Sequence, residues 1–126
     1  MANEITFTAS FSNANGNLDS LTIPSRVQQI TQSTAVPFRV GGTQLIGFAA
    51  HETLDVTGLT TLGMCYFRNR DPSNFVEIGV DVGGTFYPLV RLNAGESCVF
   101  RLSQGIAPYA QADTGNVILE RELLDN

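Results

Sequence analysis

Apolar and polar residues alternate with a period of two along most of this chain. Ile5, Phe7, Ala9 and Phe11 are separated by Thr6, Thr8 and Ser10, the pattern of a strand with one buried face. A turn is expected next, because the Asn-rich stretch Asn13 to Asn17, with Gly16, tolerates left-handed backbone geometry. Short strands are predicted at Leu18 to Ile23, closed by Pro24, and at Arg26 to Thr31, Phe38 to Val40, Leu45 to Ala49 and Thr53 to Val56. A stronger set follows at Met64 to Arg68, Phe75 to Val80, Phe86 to Leu92, Ser97 to Leu102 and Val117 to about Leu123. Turn residues recur about every 8 to 12 positions, as in sandwiches and barrels. The expected fold is therefore all-β: a single-domain β-sandwich over 1–126, of jelly-roll or Greek-key type, with about 8–10 short antiparallel strands. Residues 1–17 form its first strand or an N-terminal arm.

Turn chemistry refines this picture. Gly41-Gly42 and Gly83-Gly84 each lie within a Val-Gly-Gly-Thr tetrapeptide, and a Gly pair suits the primed turns of two-residue hairpins. Asn93-Ala94-Gly95-Glu96 reads as a type I turn followed by a left-handed Gly, joining the Phe86 and Ser97 strands. The C-terminal Val117-Ile118-Leu119-Glu120-Arg121-Glu122-Leu123-Leu124 contains good helix formers. It is read as a strand, because Gly115-Asn116 opens it like a turn and Glu120 and Glu122 share a wet face.

Composition narrows the function. The 126 residues are 43% hydrophobic and only 15% charged, with a net charge of −5. All the basic residues are arginine, so the lysines that commonly guard exposed strand edges are missing. Nucleic acid is not an expected partner, because phosphate binding needs clustered cations and only Arg68 and Arg70 lie close together. Nor is a membrane, since no basic amphipathic segment or long apolar run is present. Met1-Ala2-Asn3-Glu4 lacks the cationic and apolar regions of a secretion signal. The protein is accordingly expected to be made in the cytoplasm.

Catalytic and cofactor sites are not expected. His51 stands in Ala49-Ala50-His51-Glu52 without a partner pattern, which suits a turn or surface position. Cys65 and Cys98 fall in step with inward-facing residues of separate strands, so they read as buried free thiols rather than zinc ligands or a disulfide. Asn69, Asp71 and Asn74 place oxygens at spacings a hard cation uses, but the terminal bidentate Glu is missing. Asp71-Pro72-Ser73-Asn74 is more simply a turn with Pro at its second position. No metal is expected.

Three stretches carry a resemblance: FRNRDPSNFVEIG from Phe67 to Gly79, TFYPLVRLNAGE from Thr85 to Glu96, and PYAQADTGNVILERELL from Pro108 to Leu124. Together, across Gly63 to Leu124, they resemble a group of small virion proteins of tailed bacteriophages. The resemblance implies a jelly-roll or related sandwich that serves as a capsid decoration, or cement, protein on the virion. It also implies the major capsid protein or another virion protein as partner, and assembly as a homo-oligomer, a dimer or trimer. A tail, neck or fibre component is the alternative, and a carbohydrate- or cation-binding attachment module a further one. Candidate partner contacts are Phe7 and Phe11 on the alternating N-terminal segment, and Arg68, Arg70 and Phe75 flanking the central hairpin.

Overall fold

The computed structural model describes residues 3–14, 16 and 20–126. Asn15, Asn17 and Leu18, which belong to the predicted first turn and second strand, lie outside the described residues, as do Met1, Ala2 and Asp19. Every regular element among the described residues is a strand, and all pairings are antiparallel. The chain divides into two compact units, Met1–Ala35 and Val36–Asn126.

The first unit is a hairpin. Strand β1 (Ile5–Asn13) pairs with β2 (Leu21–Ile30), with Ile5 opposite Ile30 and Asn13 opposite Leu21. The sequence predicts that Pro24 closes a strand, yet β2 runs through it. The reason lies in the register. Ala9 faces Arg26 and Phe11 faces Ile23, so the single residue Ser10 stands opposite Pro24 and Ser25 in a β-bulge. A bulge accepts a proline because it interrupts the ladder where the missing N–H would be needed.

The bulge also corrects the side-chain phase. Ile23 and Arg26, three residues apart, would point to opposite sides of a regular strand, but here each stands opposite a residue of the Phe7, Ala9 and Phe11 face. That face collects Ile5, Phe7, Ala9, Phe11, Leu21, Ile23 and Ile30 around Arg26 and Gln28, with Asn13 at its end. The other carries Thr6, Thr8, Ser12, Thr22, Val27 and Gln29. Alternation predicts a buried apolar face, but Phe11 is 60% exposed, Leu21 47% and Ile23 44%. Two strands have no second layer of their own with which to cover a face.

The second unit contains β3 (Arg39–Ile46), β4 (Glu52–Thr53), β5 (Leu62–Asn69), β6 (Val76–Val82), β7 (Thr85–Leu92), β8 (Ser97–Arg101), β9 (Tyr109–Ala112) and β10 (Val117–Asp125). They form two four-stranded sheets, ordered β3-β10-β5-β8 and β4-β9-β6-β7. The chain changes sheet at every connection except the β6–β7 hairpin. One core joins both sheets in a sandwich-like arrangement: Ile46, Phe67, Val117, Leu119 and Leu123 from the first meet Val76, Ile78, Leu92 and Ala110 from the second, with Leu54 between strands. Short β9 has no counterpart among the predicted strands, because four residues give too little alternation to read.

The two Val-Gly-Gly-Thr tetrapeptides have different fates. Gly83 (φ 62°) and Gly84 (φ 88°) form the tight β6–β7 turn, with Val82 opposite Thr85, as two consecutive left-handed residues require. Gly41-Gly42 makes no hairpin. Phe38 to Val40 and Leu45 to Ala49, predicted as separate strands, instead contribute Arg39-Val40 and Leu45-Ile46 to one continuous strand, β3, which pairs with β10 from Arg39 to Ile46, while residues 47–49 lie beyond it. Gly41 lies opposite Glu122, and a Cβ there would overlap the Glu122 carboxylate. Glycine here makes space for a neighbour.

Three buried polar residues organise the unit. On β10, inward positions alternate as Val117, Leu119, Arg121, Leu123 and Asp125, so a cation and an anion enter an otherwise apolar face. Arg121 reaches Asp55, through a hydrogen bond to its carbonyl (3.3 Å) and an ion pair of 3.7 Å. Asp125 is fully buried and accepts the amide N–H of Phe38 (2.8 Å), Thr60 (2.8 Å) and Thr61 (3.0 Å). Asn69 is also fully buried. Its side-chain amide donates to the carbonyls of Asn74 (2.8 Å) and Leu92 (3.0 Å), and its oxygen accepts the Asp71 N–H (2.8 Å).

Candidate functional site

The sequence groups Arg68, Arg70 and Phe75 around one hairpin, and the structure separates them. β5 ends at Asn69, which turns inward, so its neighbours Arg68 and Arg70 both project outward and are exposed. They line a groove with Asp71, Pro72, Ala94 and Gly95, with Asn69 beneath. Phe75 is half-buried and covered, since the Arg91 guanidinium lies 3.8 Å above its ring and pairs with Glu77 at 3.5 Å. It offers little free surface to a partner.

The groove is held by turns on both sides. Asp71 accepts the amide N–H of Asn74 (2.6 Å) and Ser73 (2.8 Å), and these two bonds hold its carboxyl below the usual range against a smaller upward pull from burial. That is the turn anticipated from Asp-Pro-Ser-Asn, with its oxygen committed to backbone amides. The opposite wall is the predicted Asn93–Glu96 turn, with Gly95 at φ 80° and the Glu96 N–H donating 3.0 Å to the Asn93 carbonyl. It joins β7 to β8, which lie in different sheets, so it is a crossing between layers rather than a hairpin.

Phe7 and Phe11 belong to the other unit. With Ala9, Ser10, Ile23, Arg26 and Gln28 they line a shallow groove on the apolar face of the hairpin. Aromatic and aliphatic side chains left open to water in this way are a common mark of a protein interface.

Sequence reasoning missed one side-chain pair. His51 Nε2 lies 2.5 Å from Asp81 Oδ2, although thirty residues separate them. The ring stacks on Phe86 (5.3 Å, 16°) and tilts against Tyr109 (5.7 Å, 55°), while the other Asp81 oxygen accepts the Gly84 N–H (3.0 Å). His51 thus clips the segment before β4 to the β6–β7 hairpin. No local signal marks it, because the partners come from distant strands. Among the described residues no hydroxyl or thiol is hydrogen-bonded to His51. The cysteines are free, and burial pushes the Cys65 thiol up to about 12 and the Cys98 thiol up to about 11, so both stay protonated and poorly nucleophilic at neutral pH. No cluster of three or more His, Cys, Asp and Glu residues is placed to hold a metal among the described residues.

The His51 contact has a testable consequence. The Asp81 carboxyl is held below its ordinary value chiefly by the His51 hydrogen bond, then by the Gly84 amide, against an upward pull from burial. A depressed folded-state pKa adds stability above the unfolded value near 4, and this is lost as pH falls through the lower folded value. His51→Ala should move the Asp81 titration back up towards 4, as read by carboxyl-carbon NMR. An unmoved titration would show that the clip is not formed in solution.

No protein-family model, curated protein or solved structure matches the chain.

Proposed function

We propose that this is a structural, non-catalytic virion protein that binds the outside of a tailed-bacteriophage capsid and stabilises it. The observation carrying the protein-binding part is the hairpin. Two strands alone are marginally stable in water, and this pair keeps Phe11, Leu21 and Ile23 exposed on one continuous face. Covering that face with a partner's apolar surface would bury side chains worth roughly 1.5–3 kcal/mol each when fully removed from water. Either open strand edge can also extend a neighbouring sheet through main-chain hydrogen bonds.

The phage assignment rests on the resemblance of Gly63 to Leu124 to small virion proteins. We read the sheet orders β3-β10-β5-β8 and β4-β9-β6-β7, with a chain that alternates between layers, as a jelly roll, an architecture that capsid domains use among others. Fold likeness carries no function alone. A cement role needs a stiff body and an adhesive surface; the two-sheet core supplies the first and the uncovered hairpin face the second. Association as a dimer or trimer is part of the proposal.

The test adds the purified protein to capsids that lack it. Wild-type protein should bind saturably at high copy number and raise the temperature at which the shells rupture. The double variant F11D/I23D places two charges on the apolar face and should bind at least about tenfold more weakly, a loss of about 1.4 kcal/mol or more, with the melting of the second unit unchanged. Equal binding by that variant would remove the hairpin from the interface. Binding at a single ring of sites would favour the tail or neck reading.

A further inference from the structure

We infer that the groove between Arg68 and Arg70 is a docking site for an extended acidic segment of a partner protein, with carboxylates at alternating positions. This deepens the protein-binding reading and concerns a surface other than the hairpin.

In a chain of net charge −5, two exposed guanidiniums side by side should attract the carboxylates around them. Two of those carboxylates are committed elsewhere. Asp71 is occupied by the Ser73 and Asn74 amides. Glu96 accepts the Asn93 N–H at 2.9 Å. Glu120 stands opposite Arg68 across the β5–β10 ladder, yet no ion pair joins them, and neither Arg68 nor Arg70 has an ion-pair partner among the described residues. Two donors of fixed fork geometry are therefore presented to solvent along one wall.

Spacing then selects the ligand. Arg68 and Arg70 are two residues apart on extended backbone, held so by the Asn69 N–H bonded to the Glu96 carbonyl and the Arg70 N–H bonded to the Ile118 carbonyl. Residues i and i+2 of a strand lie on one face about 6.6 Å apart. An extended segment with the pattern acidic-x-acidic repeats its carboxylates at the same interval, and each carboxylate can take a bidentate guanidinium contact. The inward Asn69, with its three side-chain hydrogen bonds, keeps the pair in register before anything binds. Nucleic acid fits less well, because two cations make no phosphate track.

The probe is a fluorescein-labelled Gly-Glu-Ser-Glu-Gly peptide, read by anisotropy on the intact purified protein at low salt. Binding should be salt-sensitive, absent for the Gln analogue and weaker for an oligothymidylate. Arg68→Ala and Arg70→Ala should each weaken it about fivefold, and the double variant about 25-fold, in line with exposed ion pairs acting independently. Retained affinity in the double variant, no binding by the wild type, or equal binding of oligothymidylate would each overturn the inference. F11D/I23D should bind the peptide normally. Failure at the groove is thus distinguishable from failure of the hairpin reading, which is tested on capsids.

Discussion

Asp125→Ala is expected to lower the melting temperature of the second unit by about 15 °C. Three amide N–H groups, from Phe38, Thr60 and Thr61, converge on this one carboxylate at 2.8 to 3.0 Å. They tie the segment entering β3 and the segment entering β5 to the end of β10. Removing the acceptor leaves three part-buried donors without it, at a cost of roughly 3 kcal/mol in total, and a unit of this size shifts by about 4–8 °C per kcal/mol.

The same contact has a pH signature. Burial pushes the Asp125 carboxyl up, and the Phe38, Thr61 and Thr60 hydrogen bonds outweigh it, so its pKa lies below the ordinary value. The sign follows from linkage. A carboxyl depressed in the folded state contributes fully above the unfolded value near 4 and loses that contribution as pH falls through the folded value. Wild-type stability should therefore decline below pH about 4 more steeply than that of Asp125→Ala, as measured by urea unfolding at several pH values. Parallel slopes would mean that the carboxylate does not hold these amides.

Asn69→Ala is expected to be comparably severe, at roughly 3 kcal/mol. Its side chain makes two donations and one acceptance inside the protein, so alanine strands two carbonyls and an amide. Asn69→Asp separates shape from chemistry. It keeps the volume but turns the donating end into an acceptor facing the carbonyls of Asn74 and Leu92, and should destabilise at least as much as alanine in the same unfolding measurement. If Asn69→Asp melts like wild type, these donations are not what holds the turn. Both variants should also weaken peptide binding at the Arg68–Arg70 groove, because Asn69 sets the backbone from which the arginines project.

Neither residue stands out in the sequence as a structural anchor. Asp125 follows two leucines near the chain end, where a charged residue ordinarily faces water, and Asn69 sits in a motif whose alternatives are a turn or a cation site. What makes them structural is the set of backbone groups brought to them, amides from up to 87 residues away for Asp125 and two carbonyls and an amide, from up to 23 residues away, for Asn69. His51 and Asp81 are the same case. The candidate contacts divide for a related reason: Arg68 and Arg70 share a face because they are two apart on one extended segment, whereas Phe75 lies past the turn and is capped by Arg91.

The sheet-only architecture and the places of the later strands are legible in the residues alone, because side-chain alternation and turn propensity are local properties that each strand carries with it. So are the tight turn at Gly83-Gly84 and the turns at Asp71–Asn74 and Asn93–Glu96, each closed by residues a few positions apart. Folding in three dimensions settles the rest: which strands share a sheet, and that Val40-Gly41-Gly42-Thr43 runs straight while Val82-Gly83-Gly84-Thr85 reverses. Those outcomes depend on what lies opposite, and the partner of a strand is chosen by long-range pairing: β10 holds β3 extended through its glycines, whereas the β6–β7 turn has only itself to satisfy.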